Sequence, residues 1–452
     1  MARPIGLPHD EIAGLMTDLR PYQREAIDAV FAYWSKEGGS PLLDLATGTG
    51  KSVVIATLLR ELLEEYPLMR VLCLVHVREL VRQNFEQLMR AWPGAPAGIN
   101  SAGLGRRDWR HPILFASVQS VFRNPHLLGR RDLVLIDEAH LVPKSAGGMY
   151  AKLLDGLRVA SPDLRLFGCT ATPFRLDSGR LDRGDDRLFD RVVYSYGIRE
   201  GVNDKWLTPL ISKGMATQID VAGVARRGGE FIPGALEAAA DRDDVTKAAV
   251  TEIVTYGAGR RSWLVFCVGI EHATHARNEI ESRGISVALV TGKTPREERD
   301  ATLAAFKAGR LRCVVNVSVL TTGFDAPGVD LIAMLRPTLS TGLYVQMLGR
   351  GTRLAKGKET CLVLDFSGNV RRHGPVDRLA INSQRGAGGG QREQVSVKPD
   401  DVRARECLHC MCLSPLDAKE CAHCGQPFTL EAPHAPIADT APIMPGPDDG
   451  WE

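Results

Sequence analysis

Leu45-Ala46-Thr47-Gly48-Thr49-Gly50-Lys51-Ser52 decides the reading of this chain. It follows the apolar run Pro41-Leu42-Leu43-Asp44-Leu45 and opens the helical pattern Lys51 to Glu65, so it sits at a strand-to-helix turn. Gly48 and Gly50 let the backbone N–H groups around Thr49 turn towards phosphate oxygens at a helix N-terminus. Lys51 then reaches the β- and γ-phosphates, and Ser52 offers a hydroxyl to Mg²⁺. The strict pattern has glycine five residues before Gly50, where this chain has Leu45. An ordinary glycine turn is the plain alternative, and the strand before it and the helix after it argue against that.

Working outward, Asp137-Glu138-Ala139-His140 follows the apolar run Leu133 to Ile136. A strand end there would give Asp137 a place to hold Mg²⁺ and Glu138 a place to act as base towards an attacking water. In Gln346-Met347-Leu348-Gly349-Arg350-Gly351-Thr352-Arg353, the residues Gln346, Arg350 and Arg353 are spaced i, i+4, i+7. On a helix that spacing puts all three side chains on one face. Gly349 and Gly351 thin such a helix where another surface could approach, and the arginines could neutralise charge developing on a γ-phosphate. The three boxes together are the parts of a nucleoside triphosphate hydrolase.

Short apolar runs alternate with helical stretches along the chain. Pro41–Leu45, Val71–Val75, Ile113–Ser117, Leu133–Ile136 and Leu164–Cys169 form one series, and Trp263–Val268, Ser286–Val290, Arg312–Val317, Asp330–Leu335 and Thr360–Asp365 a second. Strands apolar on both faces belong to parallel sheets covered by helices. The expected organisation is an α/β lobe over 1–210, an interlobe hinge at 211–240 and a second α/β lobe over 241–380. A flexible linker at 381–406 contains Gly386-Ala387-Gly388-Gly389-Gly390. A four-cysteine module at 407–425 and an acidic, proline-rich, disordered tail at 426–452 complete it.

Lys plus Arg exceed Asp plus Glu by 56 − 54 = 2, so bulk charge does not announce a nucleic-acid binder. Met1 to Ile12 shows no secretory signal and no apolar stretch is long enough to span a membrane, which predicts a cytoplasmic protein without a membrane partner. Of the ten cysteines, Cys73, Cys169, Cys267, Cys313 and Cys361 sit singly in apolar runs and read as core residues. The pairs Cys407-x-x-Cys410 and Cys421-x-x-Cys424 have the form of a tetrahedral Zn²⁺ knuckle, with Cys412, His409 and His423 as competing donors.

These boxes in this order resemble a superfamily-2 DEAH-box helicase or translocase, over residues from about 19 to 370. The resemblance implies two RecA-like lobes that bind ATP with Mg²⁺ and move on nucleic acid. Leu19-Arg20-Pro21-Tyr22-Gln23 resembles the adenine-reading segment, with Gln23 as the base contact. His76-Val77-Arg78 and Ser117-Val118-Gln119 are similar to strand-contacting motifs, which assigns Arg78 and Gln119 to nucleic acid. Thr170-Ala171-Thr172-Pro173 resembles the segment coupling hydrolysis to movement. Val290-Thr291-Gly292-Lys293 and Ser318 to Asp325 resemble second-lobe motifs, which assigns Gly292, Thr322 and Gly323 to the strand and Asp325 to the nucleotide.

More narrowly, Thr172 to Asp177, Leu364 to Val370 with His373-Gly374-Pro375, and the cysteine module are similar to the RadD-like DNA repair branch. That resemblance implies recombination or repair on single-stranded or branched DNA, alongside the single-stranded DNA-binding protein. An RNA-remodelling helicase and a non-catalytic zinc-dependent adaptor are the rival readings. A restriction motor subunit would need its nuclease on another chain, since the resemblance begins near residue 19.

Overall fold

The computed structural model describes residues 19–76, 78–143, 147–175, 179–184, 187–320, 326–379 and 402–428. The first lobe runs α1 (Pro21–Lys36), β1 (Pro41–Leu45), α2 (Lys51–Glu65), β2 (Val71–Val75), α3 (Arg78–Ala91), β3 (Ala97–Ser101), β4 (Arg106–Arg107), β5 (Ile113–Ser117), β6 (Leu133–Asp137), α4 (Met149–Ala160), β7 (Arg165–Thr170) and β8 (Arg191–Tyr196). Its sheet has the order β8-β1-β7-β6-β2-β5-β3-β4, parallel except for β4 against β3.

The period-two geometry of a strand explains why every residue of β2 is apolar. Val71, Cys73 and Val75 pack on one face against the α1, α2 and α3 side chains Ile27, Leu59 and Val81. Leu72 and Leu74 pack on the other face with Leu153 and Leu157 of α4. Burying each such leucine stabilises the lobe by about 1.5–3 kcal/mol.

After α5 (Ile198–Asn203) the second lobe contains β9 (Leu210–Gly214), β10 (Arg226–Arg227), β11 (Glu230–Phe231), α6 (Pro233–Ala240), α7 (Asp243–Gly257), β12 (Trp263–Phe266), α8 (Ile270–Ser282), β13 (Val287–Val290), α9 (Arg296–Lys307), β14 (Cys313–Asn316), β15 (Leu331–Met334), α10 (Thr341–Leu348), β16 (Cys361–Asp365) and α11 (Asn369–His373). Its sheet has the order β9-β16-β15-β12-β14-β13, parallel throughout. Both sheets therefore present their β-to-α loops at the carboxyl ends of their strands, where ligands bind in open α/β folds.

The segment expected as a hinge, 211–240, contributes β9 as an edge strand of this sheet and packs Met215, Ile219, Phe231 and Leu236 into its core. Irregular spacing among Pro209, Pro233 and the glycines hides that shared face in the sequence. The five isolated cysteines are buried, as expected.

The cysteine module opens with the antiparallel pair β17 (Ala404–Glu406) and β18 (Leu413–Pro415) and lies against the second lobe. Lys213 Nζ donates to the Cys410 carbonyl at 3.0 Å, and the Gly214 N–H to that of Met411 at 3.1 Å. Ala404 and Leu413 share a core with Val370 and Val376. Gly386–Gly390 and the residues after Phe428 lie outside the described residues. Among the described residues no helix is long and apolar enough to cross a membrane.

Candidate active site

The glycine loop leaves β1 and enters α2 at the carboxyl edge of the first sheet. Gly48 and Gly50 have φ of +92° and +80°, a region that costs any residue with a Cβ. Leu45 buries its side chain fully while its carbonyl accepts Lys51 Nζ at 3.3 Å, so glycine is not required there. The Thr49 carbonyl is held from behind by Tyr22 Oη at 2.7 Å and Gln23 Nε2 at 2.9 Å. Gln23 Oε1 in turn accepts the Arg20 N–H. Ser52 follows Lys51 in the first turn of α2.

Asp137 ends β6, where Oδ2 accepts Asn84 Nδ2 at 2.7 Å and Oδ1 accepts the Glu138 N–H at 2.9 Å. Burial, and then the neighbouring Glu138, push its carboxyl up. Burial would push Glu138 up as well, yet Lys51, His140 and Arg350 outweigh it and hold that carboxyl below its ordinary value. Lys51 Nζ lies 3.6 Å from Glu138 Oε1. Glu138 sits at φ +50°, a left-handed conformation that non-glycine residues keep only when their surroundings fix it.

The second lobe meets this edge directly. Gln346 Nε2 lies 3.0 Å from His140 Nε2, and His140 Nδ1 lies 2.9 Å from Thr170 Oγ1. Thr170 Oγ1 donates onward to the Thr172 carbonyl at 3.0 Å. Thr352 Oγ1 donates to the Thr47 carbonyl at 3.2 Å, and a Cβ on Gly349 would stand 2.5 Å from Thr47 Cβ. Only glycine lets the two lobes come this close.

One expectation is corrected here: α10 stops at Leu348, with Gly349 as its C-cap, so Arg350 and Arg353 follow the helix and do not share its face with Gln346. Gly349 caps the helix and, as expected, lets another surface approach, since a Cβ there would meet Thr47, while a Cβ on Gly351 would meet Cys361 Sγ at 2.5 Å. The turn still brings both arginines to the cleft. Arg350 is buried and acts on Glu138, and a Cβ on Gly48 would stand 3.6 Å from Arg353 Cγ. Lys358 Nζ holds the turn by donating to the carbonyls of Gly351 at 2.8 Å and Arg353 at 2.7 Å.

Residues 16–175 match the family described as "Type III restriction enzyme, res subunit", and residues 246–355 match "Helicase conserved C-terminal domain". The chain has the paired domains of a superfamily-2 helicase.

Among its relatives, the ATP-dependent helicase named IRC3 of Saccharomyces cerevisiae is 30% identical over 364 residues, covering 77% of this chain and 51% of that protein. The mitochondrial ATP-dependent helicase named irc3 of Schizosaccharomyces pombe is 30% identical over 374 residues, 78% of this chain and 58% of the relative. The chain thus spans little more than half the length of these relatives. A fragment of a type I restriction enzyme HsdR subunit from Vibrio vulnificus YJ016 shares the fold at a TM-score of 0.58 and 24% identity, covering 80% of this chain and 68% of that one.

In this superfamily-2 frame the remaining sequence candidates fall at the same sheet edges. Arg78 begins α3 just beyond β2, Gln119 follows β5 and donates to the His76 carbonyl at 3.3 Å, and exposed Gly292 follows β13. Thr322, Gly323 and Asp325 lie outside the described residues. Asn84, Thr47, Thr352 and Lys358 are additional members of the site. Asn84 lies far from Asp137 in sequence on an ordinary helix face, so nothing in the sequence marks it. His140 is visible as part of the acidic box, but its partner across the cleft is not.

In the cysteine module the Sγ atoms of Cys407, Cys410, Cys421 and Cys424 all lie within 4.8 Å of one another. Cys407 and Cys424 are 3.7 Å apart, and Cys410 and Cys421 are 3.6 Å apart. Zn–S bonds of about 2.3 Å in a tetrahedron require S···S separations of about 3.8 Å, so the four thiolates fit zinc. Cys412, His409 and His423 stand outside the cluster.

Proposed function

We propose that this superfamily-2 chain is an ATP-dependent motor on DNA, acting on single-stranded or branched DNA in recombination or repair, alongside the single-stranded DNA-binding protein. The observation that carries the motor reading is the hydrogen bond between Gln346 and His140, which joins the lobes beside Lys51 and Glu138. The restriction-enzyme description of the matched first-lobe family favours DNA over RNA.

ATP with Mg²⁺ supplies a phosphoryl group for transfer to water. The loop around Gly48 and Gly50 would cradle its phosphates, Lys51 would neutralise their charge, and Ser52 and Asp137 would hold the metal. Glu138, held below its ordinary value chiefly by Lys51 and also by Arg350, would orient the water and take its proton. Arg350 and Arg353 act on the same point when the lobes close, a reading supported by the close approach of Thr47 and Gly349 and by the action of Arg350 on Glu138. A strand lying across Arg78 and Gln119 of one lobe and Gly292, Thr322 and Gly323 of the other would favour closure. The family resemblance assigns Asp325 to the nucleotide. The zinc module would engage DNA or a partner from its seat on the second lobe.

The test is ATP hydrolysis against single-stranded, duplex and forked DNA and against RNA. Stimulation by DNA, with nucleotide affinity and turnover lost in Lys51→Ala and turnover alone lost in Glu138→Gln, is the expected result. Near-normal hydrolysis in Glu138→Gln overturns the site assignment, and stimulation by RNA alone overturns the DNA reading.

A further inference from the structure

Beyond β9 the second lobe carries a small hairpin that the motor boxes do not use. β10 (Arg226–Arg227) pairs antiparallel with β11 (Glu230–Phe231) across Gly228-Gly229, whose φ values are +62° and +82°. Two consecutive positive φ angles make the tight turn whose twist matches paired strands. A Cβ on either glycine would meet nothing within 4 Å, so the tip projects into open space. Arg226 and Arg227 beside it are exposed, and neither side chain has an ion pair or hydrogen-bond partner among the described residues.

The root of the hairpin is fixed. Phe231 is buried in the second-lobe core. The Glu230 carboxylate accepts hydrogen bonds from Thr338 Oγ1 at 2.5 Å and from the N–H groups of Leu339 and Ser340 at 3.0 Å and 3.1 Å. Ser340 is the N-cap of α10, the helix that carries Gln346 to His140. Arg336, in the same loop, donates to Ser318 at the start of the segment expected to touch the strand.

Topology puts these parts on one edge. Residues 336–340 follow β15, the Ser318 segment follows β14, and Gly292 follows β13, all at the carboxyl ends of parallel strands. β15 and β13 are three strand spacings apart, roughly 14 Å.

We propose that the Arg226–Phe231 hairpin is a contact of the second lobe with the phosphodiester backbone of nucleic acid, and that Glu230 is a positioning residue linking this contact to the start of α10. This rests on the motor reading above. Two unpaired guanidinium groups on a rigid tip suit phosphate oxygens, and a carboxylate holding three donors at a helix start transmits a displacement of that tip to Gln346.

The test uses the full chain and a fluorescein-labelled oligothymidine. Arg226→Ala/Arg227→Ala weakens binding roughly tenfold at low salt and flattens the dependence of log affinity on log salt by about 1.4, the value for two phosphates of a single strand. Arg226→Lys/Arg227→Lys keeps most of that slope. Glu230→Gln binds oligothymidine within about twofold of wild type but shows a smaller ratio of stimulated to unstimulated hydrolysis. A purely structural role for Glu230 would lower both rates together. Wild-type affinity and slope in the double alanine variant overturn the contact, and a full stimulation ratio in Glu230→Gln overturns the coupling. Wild-type protein that neither binds nor responds to oligothymidine, duplex or forked DNA, or RNA overturns the motor reading itself.

Discussion

His140 in the first lobe and Gln346 in the second meet nitrogen to nitrogen at 3.0 Å. An amide nitrogen can only donate, so the imidazole accepts at Nε2 and carries its proton on Nδ1, towards Thr170. Burial lowers the His140 pKa and favours this neutral form. A single tautomer thus connects the second lobe to Thr170 and Thr172.

Gln346→Ala is expected to leave nucleotide affinity near wild type and to lower DNA-stimulated turnover about fivefold, the equivalent of one hydrogen bond of about 1 kcal/mol. Steady-state rates with and without DNA check this. An unchanged stimulated rate would show that the contact plays no part in closure.

Arg353→Ala should bind ATP and single-stranded DNA nearly normally while losing stimulated hydrolysis by roughly 10³ or more, as removal of an arginine finger does. The unstimulated rate should fall less, because it depends less on closure. Full retention of DNA stimulation would refute the closing-cleft mechanism.

Much of this architecture is legible in the sequence, because a buried parallel strand and a glycine-rich phosphate loop each leave a local signature. Leu133–Ile136 before Asp137, and Pro41–Leu45 before Gly48, place two of the three boxes on their strands. The third is legible in composition but not in geometry: the spacing of Gln346, Arg350 and Arg353 suggests a helix, and Gly349 ends it. Contacts between distant segments are silent. Asn84 on Asp137, Lys358 on the arginine turn and Glu230 on α10 join residues that no local period relates. The seating of the cysteine module on β9 belongs to the same class.

His272 in α8 is buried, its Nδ1 has no hydrogen-bond partner among the described residues, and burial lowers its pKa to about 4 despite Asp241 nearby. The unfolded chain binds this proton near pH 6.5, so stability from the neutral histidine is intact above that pH and is lost as pH falls towards 4. The loss is on the order of 3 kcal/mol. His272→Leu should therefore show a smaller drop in thermal midpoint between pH 7 and pH 4.5 than wild type. Parallel drops in the two proteins would rule the residue out as their source.

About one zinc per chain is expected, held by Cys407, Cys410, Cys421 and Cys424. Metal analysis of Cys421→Ser/Cys424→Ser should find it gone. Full zinc in that variant would exclude this ligand set.

The module's seat has a further consequence. β9 is the last strand of the second sheet, and the Gly214 N–H that donates to Met411 and the bridge between Lys213 and Cys412 lie on its outer side. An uncovered outer strand is a template for pairing with another molecule. The cysteine module therefore acts as a cover for that edge, and a metal held by its four thiolates would be its fastener. Chelation should then promote self-association through β9, and zinc would guard colloidal behaviour as well as the shape of a few residues.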